Sequence, residues 1–403
     1  MESLQRVVVI PTYWGRAGGV RLDGDAVYDH PTPVDEEGTL KRTLESLNVI
    51  DGDFTLVLIV VPVHPDLNDD VEKQVKSIVS SVERRYRVLI FLPNVLKEMY
   101  NHLEEKIPDI NQMVNLEGYS QVRNLCILIP YLLGAEKIVL LDDDEIILGS
   151  DFLDKATEFI GDTHEGRKTL AKAGYYLQPY GGHRLTGREP WWKRLFFNQK
   201  KIMNEAFAII DAEPRIKDTP FVFGGNMTVD RDLVKVGVPF DPYITRGEDI
   251  DYLTNVKTEG YAFVLDRELS IMHKPPPSHH EEWVKLREDI VRFLYVRQKL
   301  KEQQKYGAKH PLSIEDLNPY PGYFISSTIR TKIFITCLLL ALDYTAKLKL
   351  RDAGRTLQSI SLILYDYRGD VKKFHRFKKR WIEILPTLAS DKSLKQTLTS
   401  KIS

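Results

Sequence analysis

The chain has 403 residues, 43% of them apolar, enough for two or three domains and a substantial core. Its net charge of −1 excludes a global attraction to nucleic acid. Its longest apolar run, residues 333–342, is about half of the ~20 residues that span a bilayer, so an integral membrane protein is excluded as well.

Residues 6–11 form a continuous apolar run that predicts a strand stopped by Pro11. Residues 15–38 are rich in Gly and Asp and read as a long loop, a kind that is usually functional or disordered. A helix over 39–47, a buried strand over 55–63, an amphipathic helix over 70–86 and a strand over 87–92 follow. A helix over 119–133 then leads into a strand over 137–141. Strands alternating with helices predict a parallel, doubly wound sheet.

Farther on, strands are expected over 168–177, over 221–230 with a break at Gly224-Gly225, and over 261–266. Helices are expected over 200–210 and 249–259, and a Gly-rich loop over 179–188 precedes Trp191-Trp192. Pro275-Pro276-Pro277 closes this part. The chain therefore divides into an α/β domain, 1–280, and a mostly α-helical C-terminal region, 281–403, with helices near 281–306, 326–350, 352–367 and 370–385. Cys126 and Cys337 lie in apolar helical patterns and read as buried thiols, which suits a reducing cytosol. The chain opens without a basic-then-apolar signal segment, so a cytoplasmic location is expected.

The most informative run is Lys137-Ile138-Val139-Leu140-Leu141-Asp142-Asp143-Asp144-Glu145. A short buried strand ends in four carboxylates. Like charges that close repel unless a cation or polar ligand offsets them. Open α/β sheets bind ligands at the carboxyl ends of their strands, and hard divalent cations take carboxylate oxygens. Asp142 and Asp144 therefore read as a metal site holding a phosphorylated substrate; a solvated acidic turn is the plain alternative.

Further segments extend the pattern: Pro11-Thr12, Arg123-Asn124, Gly224-Gly225-Asn226, Gly247-Glu248-Asp249, Gly260-Tyr261 and His273. Together with Asp142-Asp143-Asp144 and in this order, they resemble the inverting GT-A glycosyltransferases, especially glycosyltransferase family 2, over roughly residues 5–280. The resemblance implies a GT-A, Rossmann-like nucleotide-diphospho-sugar transferase domain. It implies a nucleotide-sugar donor, UDP- or GDP-linked, and Mn²⁺ or Mg²⁺ held by Asp142, Asp144 and His273. Pro11, Thr12, Arg123, Asp142, Asp143, Gly225 and Asn226 would surround the donor. Asp249 would be the general base toward an acceptor hydroxyl, with Glu248 ordering the helix start or holding the acceptor. Lys274 could meet a phosphate, and Trp191-Trp192 either stack on a sugar or anchor their loop. His279 and His280 read as exposed.

One departure from the family is the end of the second strand, Val61-Pro62-Val63-His64-Pro65, where an Asp-rich turn is usual. Asp66 or Asp69 would have to substitute, which leaves the nucleotide open. Within the same class, a retaining enzyme of the glucosyl- or mannosyl-glycerate type fits the same motifs. Gly15-Arg16-Ala17-Gly18-Gly19 faintly suggests a sugar nucleotidyltransferase. An inactive sugar-binding or scaffolding relative is the non-enzymatic alternative.

From Arg330 to Ser403 the chain carries sixteen Lys/Arg against six Asp/Glu, 16 − 6 = +10. Basic clusters around Phe374, Phe377 and Trp381 suggest a helix lying on the inner face of an anionic membrane, which would suit a lipid-linked acceptor. Such a charge run is more often a solvated helix face; these helices could instead pack on the catalytic domain, cover the site of a carbohydrate or small-molecule acceptor, or form a dimer interface, and the oligomeric state stays open.

Overall fold

The computed structural model describes residues 4–276 and 281–402; His279 and His280 lie outside them. Among the described residues eleven strands form one sheet. They are β1 (Arg6–Gly15), β2 (Thr32–Pro33), β3 (Thr55–Pro62), β4 (Arg87–Phe91), β5 (Lys137–Leu141), β6 (Glu145–Ile146), β7 (Thr163–His164), β8 (Arg167–Leu177), β9 (Ile216–Asp218), β10 (Asn226–Asp230) and β11 (Ala262–His273). The order is β4-β3-β1-β5-β10-β8-β11-β6, with β2 beside β1, β7 beside β8 and β9 beside β11. An α/β domain followed by a helical C-terminal region is the architecture expected from the sequence.

The half formed by β4, β3, β1 and β5 is parallel. Its central strands, β1 and β3, are buried over nearly their whole length and mostly apolar because helices cover both faces. The other half is mixed, which corrects the expectation of a parallel sheet. β10 runs antiparallel to both β5 and β8. Its first residue, Asn226, therefore sits opposite Leu141, the last residue of β5, and the Gly224-Gly225 link lands at the acidic end of β5. The expected strand over 221–230 is accordingly shorter, starting only at Asn226.

Pro11 does not stop the first strand, which runs on to Gly15. Pairing with β5 ends at Val9 and pairing with β2 starts only at Trp14, so at Pro11 only the β3 side carries a ladder and a missing N–H is tolerated. β11 is twice the expected length. A register shift between Leu265 and Ser270 lets it continue beside β8, and its last residue, His273, pairs with Glu145 of β6.

Two apolar cores form, and both draw on residues before and after 280. One surrounds the sheet and takes in Trp381, Leu385 and Leu398. The other joins Phe207 and Phe221 to Ile290, Phe293, Phe324 and Ile333. The helix Arg368–Ser390 thus buries Phe374, Phe377 and Trp381. Lys378 pairs with Glu259, and Arg380 holds Asp109 through two bonds of 2.8 and 2.6 Å. Its aromatic face covers the α/β domain, so the expectation that these aromatics meet a membrane is corrected. Trp192 is buried in the second core, and Trp191 donates to Asp343 Oδ1 at 2.8 Å. The pair anchors its loop. Both cysteines are buried free thiols. Among the described residues no helix is long and apolar enough to cross a membrane.

Candidate active site

A cavity of about 550 Å³ opens where the carboxyl ends of β1 and β5 meet the start of β10. Tyr13, Arg123, Asp142, Asp143, Asp144, Gly224, Glu248, Asp249 and His273 all line it. These residues come from segments spread over more than half of the chain.

His273 Nε2 stands 3.5 Å from Asp144 Oδ2. The β6–β11 pairing produces this approach, and it is locked by the Lys274 N–H donating to the Asp144 carbonyl at 3.0 Å. Two ligands of one cation with bonds of ~2.0–2.2 Å lie about 3 Å apart, so the pair is spaced for a shared divalent ion. Asp142 is turned away from it, with Oδ1 accepting from Arg123 Nη2 at 2.6 Å. Among the described residues no set of three acidic, histidine or cysteine side chains converges on one point. Asp144 and His273 are brought together; Asp142 joins them only by leaving Arg123.

The electrostatics favour a cation. Burial, then repulsion from Asp144, pushes the Asp143 carboxyl up to about 8. Glu145 is fully buried and raised well above its ordinary range by burial and by Asp142 and Asp144. Burial and Asp249 push Glu248 up to about 7, and burial also raises Asp249. Arg123, buried between Asp142 and Glu248, opposes this excess of negative charge. A bound divalent cation would reverse the local bias toward protonation.

The Asp249 carboxylate accepts from the Gly224 N–H at 3.2 Å and from the N–H of Ile250 at 2.8 Å. The start of the helix Glu248–Thr258 is therefore tied directly to the glycine link before β10. Asp251, two residues on, faces the other way and is buried against Lys299 and Asn255. The glycines have steric reasons. A Cβ on Gly225 would fall 2.1 Å from Glu145 Oε1 and 2.6 Å from Asp142 Oδ2.

Several expected donor residues occupy other places. Pro11, Thr12, Gly225 and Asn226 do not line the cavity; Tyr13 is the residue of β1 that does. Thr12 and Asn226 are fully buried, and the Asn226 amide donates to the carbonyls of Tyr175 and Leu269, stitching β10 to its neighbours. Asn124 clamps the backbone of Phe240 through two bonds. Asn226 and Asn124 thus tie together the backbone around the cavity. Asp66 pairs with Arg16 and His64, and Lys274 is exposed at the edge of a second cavity of about 850 Å³ that adjoins the first at Asp29, His30 and Pro275.

Two features escape a reading of the sequence. Tyr176, at the end of β8, stacks on the His273 ring with centroids 4.6 Å apart. Its hydroxyl accepts from the Gly225 N–H at 2.8 Å and stands beside Glu145. The helical region also supplies Lys285, Asp289, Arg292 and Tyr320 to the cavity wall. Arg292 lies close enough to Asp249 to favour its charged form. The aromatic end of the strand was the only local signal for the first; nothing local signals the second.

No protein-family model matches the chain, and no curated protein matches it significantly. Among the solved structures that align with the chain are two metal-bound complexes. One is the mannosyltransferase PcManGT from Pyrobaculum calidifontis in complex with GDP-Man and Mn²⁺, 12% identical, covering 99% of this chain and 87% of that one with a TM-score of 0.44. The other is GalNAc-T7 with UDP, GalNAc and Mn²⁺, 12% identical, covering 86% of this chain and 58% of that one with a TM-score of 0.42.

Proposed function

We propose that the chain is a divalent-metal-dependent GT-A glycosyltransferase that moves a sugar from a nucleoside-diphosphate donor to an acceptor hydroxyl. The observation that carries this is the convergence of the Asp144–His273 pair, the Arg123–Asp142 pair and the Glu248–Asp249 helix start on one cavity. A diphosphate leaving group, a cation and an acceptor hydroxyl need these three kinds of group side by side.

Asp144 and His273 would hold Mn²⁺ or Mg²⁺, with Asp142 completing the set on leaving Arg123. The cation would offset the charge that grows on the diphosphate as the anomeric C–O bond breaks. Arg123, whose Nε and Nη1 make no hydrogen bond, would turn to the phosphate that displaces it from Asp142. Asp249 would take the proton of the acceptor hydroxyl as its oxygen attacks the anomeric carbon, and the nucleoside diphosphate would depart. Attack from the face opposite the leaving group gives inversion. Glu248, pushed up to about 7, would hold the acceptor through a hydrogen bond.

The nucleotidyltransferase alternative is weakened by Arg16. Its guanidinium is held by Asp25 at 2.8–3.1 Å and by Asp66 at 3.0 Å, so it is not offered to a phosphate.

Calorimetric titration of UDP- and GDP-sugars, with Mn²⁺ and with EDTA, tests the proposal. One donor should bind only with metal, and Asp144→Ala should abolish that binding. A folded protein that binds no nucleotide sugar would overturn it.

A further inference from the structure

The helix Ile329–Ala346 carries apolar side chains on opposite sides between Ile333 and Leu342. Ile333, Cys337, Leu340 and Tyr344 bury one side in the second core. On the other side Phe334 is 46%, Leu338 38% and Leu342 61% exposed. With Arg330 they follow an i, i+4, i+8, i+12 spacing, so they form one stripe along the helix. A helix of this composition in water normally has both faces covered.

The stripe continues past the helix. Leu348 is 86% exposed and Leu350 66% exposed. Leu348 also holds a left-handed backbone, φ +59°, a conformation that costs a non-glycine residue free energy. A bare leucine in that conformation has no role in the fold that its burial could explain.

Charge accompanies the stripe. Arg297, Lys301 and Arg330 lie close enough to repel one another. Among the described residues none of the three forms an ion pair with a carboxylate, and Arg297 donates to the Ile325 carbonyl at 2.9 Å. At the far end Lys347, Lys349 and Arg351 interleave with Leu348 and Leu350. An apolar ridge with Lys301 and Arg330 free of carboxylate partners at one end, and at the other Arg351 beside Lys347 and Lys349, which reach Asp343 and Glu281, complements a surface that is anionic outside and apolar beneath.

We infer that the Ile329–Ala346 helix and the following turn form an interfacial docking surface for an anionic lipid bilayer. The helix lies in the plane of the interface, with Phe334, Leu338, Leu342 and Leu348 inserted and the cations at headgroup level. The surface differs from the Phe374–Trp381 helix, whose aromatics are buried. Asp343 and Tyr344 on this helix bond Trp191 and the Trp283 N–H, and so join the docking face to the loop and helix that supply Lys193 and Lys285 to the cavity wall. A lipid-borne acceptor follows only together with the glycosyl-transfer proposal; docking itself is tested without donor or turnover.

The test is flotation of the full chain with phosphatidylcholine vesicles, with and without phosphatidylglycerol. The chain should partition onto phosphatidylglycerol vesicles and be released by salt. F334S/L338S/L342S, its fold checked by circular dichroism, should lower partitioning at least about tenfold, and R330S should lower it less. No partitioning at low salt, or equal partitioning of the triple variant, would overturn the inference. So would a dimer in solution that the triple variant abolishes, which would assign the face to a second copy. Should the triple variant not fold, Leu342→Cys carrying an environment-sensitive fluorophore should shift to the blue on addition of phosphatidylglycerol vesicles; an unchanged spectrum would be equally decisive against it.

Discussion

Replacing Gly225 with alanine places one methyl group where two carboxylates already stand. Its Cβ would lie 2.1 Å from Glu145 Oε1 and 2.6 Å from Asp142 Oδ2, whereas carbon and oxygen normally approach to about 3.3–3.6 Å. Something must therefore move by about 1 Å. The Gly225 φ is not in the left-handed region, so the penalty is steric. Glu145 cannot swing into solvent, because it is fully buried and its Oε2 accepts the Asp142 N–H at 3.0 Å. Overpacking of this kind costs about 1–3 kcal/mol, and disturbing groups behind metal ligands typically weakens metal affinity by ~10–100-fold. The expected outcome is a Tm lower by several degrees and a loss of Mn²⁺-dependent nucleotide affinity in that range. Gly224→Ala is the control. Its Cβ would meet Asp249 Cβ at 3.2 Å and Arg123 Nη2 at 3.3 Å, a strain that shifts of a few tenths of an ångström relieve, so its stability should fall by less than ~1 kcal/mol. Differential scanning fluorimetry and calorimetry read both quantities. A Gly225→Ala protein with unchanged Tm and unchanged affinity would refute the claim that this glycine makes room for the carboxylate cluster.

Lys299→Met should cost about 3–5 kcal/mol in denaturant titrations, because the Lys299 ammonium is buried against Asp241 and Asp251 at 2.8 Å and both would be left uncompensated; a loss below 1 kcal/mol would contradict it. His375 stacks on Tyr306 with centroids 3.8 Å apart, and burial followed by repulsion from Lys299 and Lys378 pushes it down to about 3. The folded state then binds fewer protons than the unfolded chain, so stability from this site is present above the ordinary histidine range and lost as pH falls from about 6.5 toward 3. Chemical denaturation of the wild type and of His375→Phe across that window should show a shallower decline in the variant; parallel curves would contradict it.

What could be read from the sequence, and what could not, follows the range of the interactions. β1, β3, β4 and β5 announce themselves as unbroken apolar runs because both faces of that half-sheet are covered. The acidic end of β5 is conspicuous because four adjacent carboxylates are costly. By contrast, β11 was seen only as far as Asp266, since Asp266, Arg267 and Glu268 interrupt its apolar pattern. Asp266 is in fact buried against Lys172 and Arg215, and the strand resumes beyond the register shift to deliver His273. The resemblance places Thr12 and Asn226 around a donor, but no sequence pattern signals that both side chains are fully buried or that Asn226 bonds the backbone of Tyr175 and Leu269. The amphipathic pattern of Arg368–Ser390 shows that one face needs cover but not what covers it; here the cover is the domain itself. The entry of Arg292 and Tyr320 into the cavity wall depends on helix packing across the molecule, for which no local pattern exists.

The metal site is tested most directly by electron spin-echo envelope modulation of Mn²⁺ bound together with the preferred nucleoside diphosphate. Coordination by Asp144 and His273 should give a ¹⁴N coupling from a directly bound imidazole, and His273→Gln should remove it while Mn²⁺ still binds more weakly. Bound Mn²⁺ without a nitrogen coupling, or a coupling that survives in His273→Gln, would contradict the assignment.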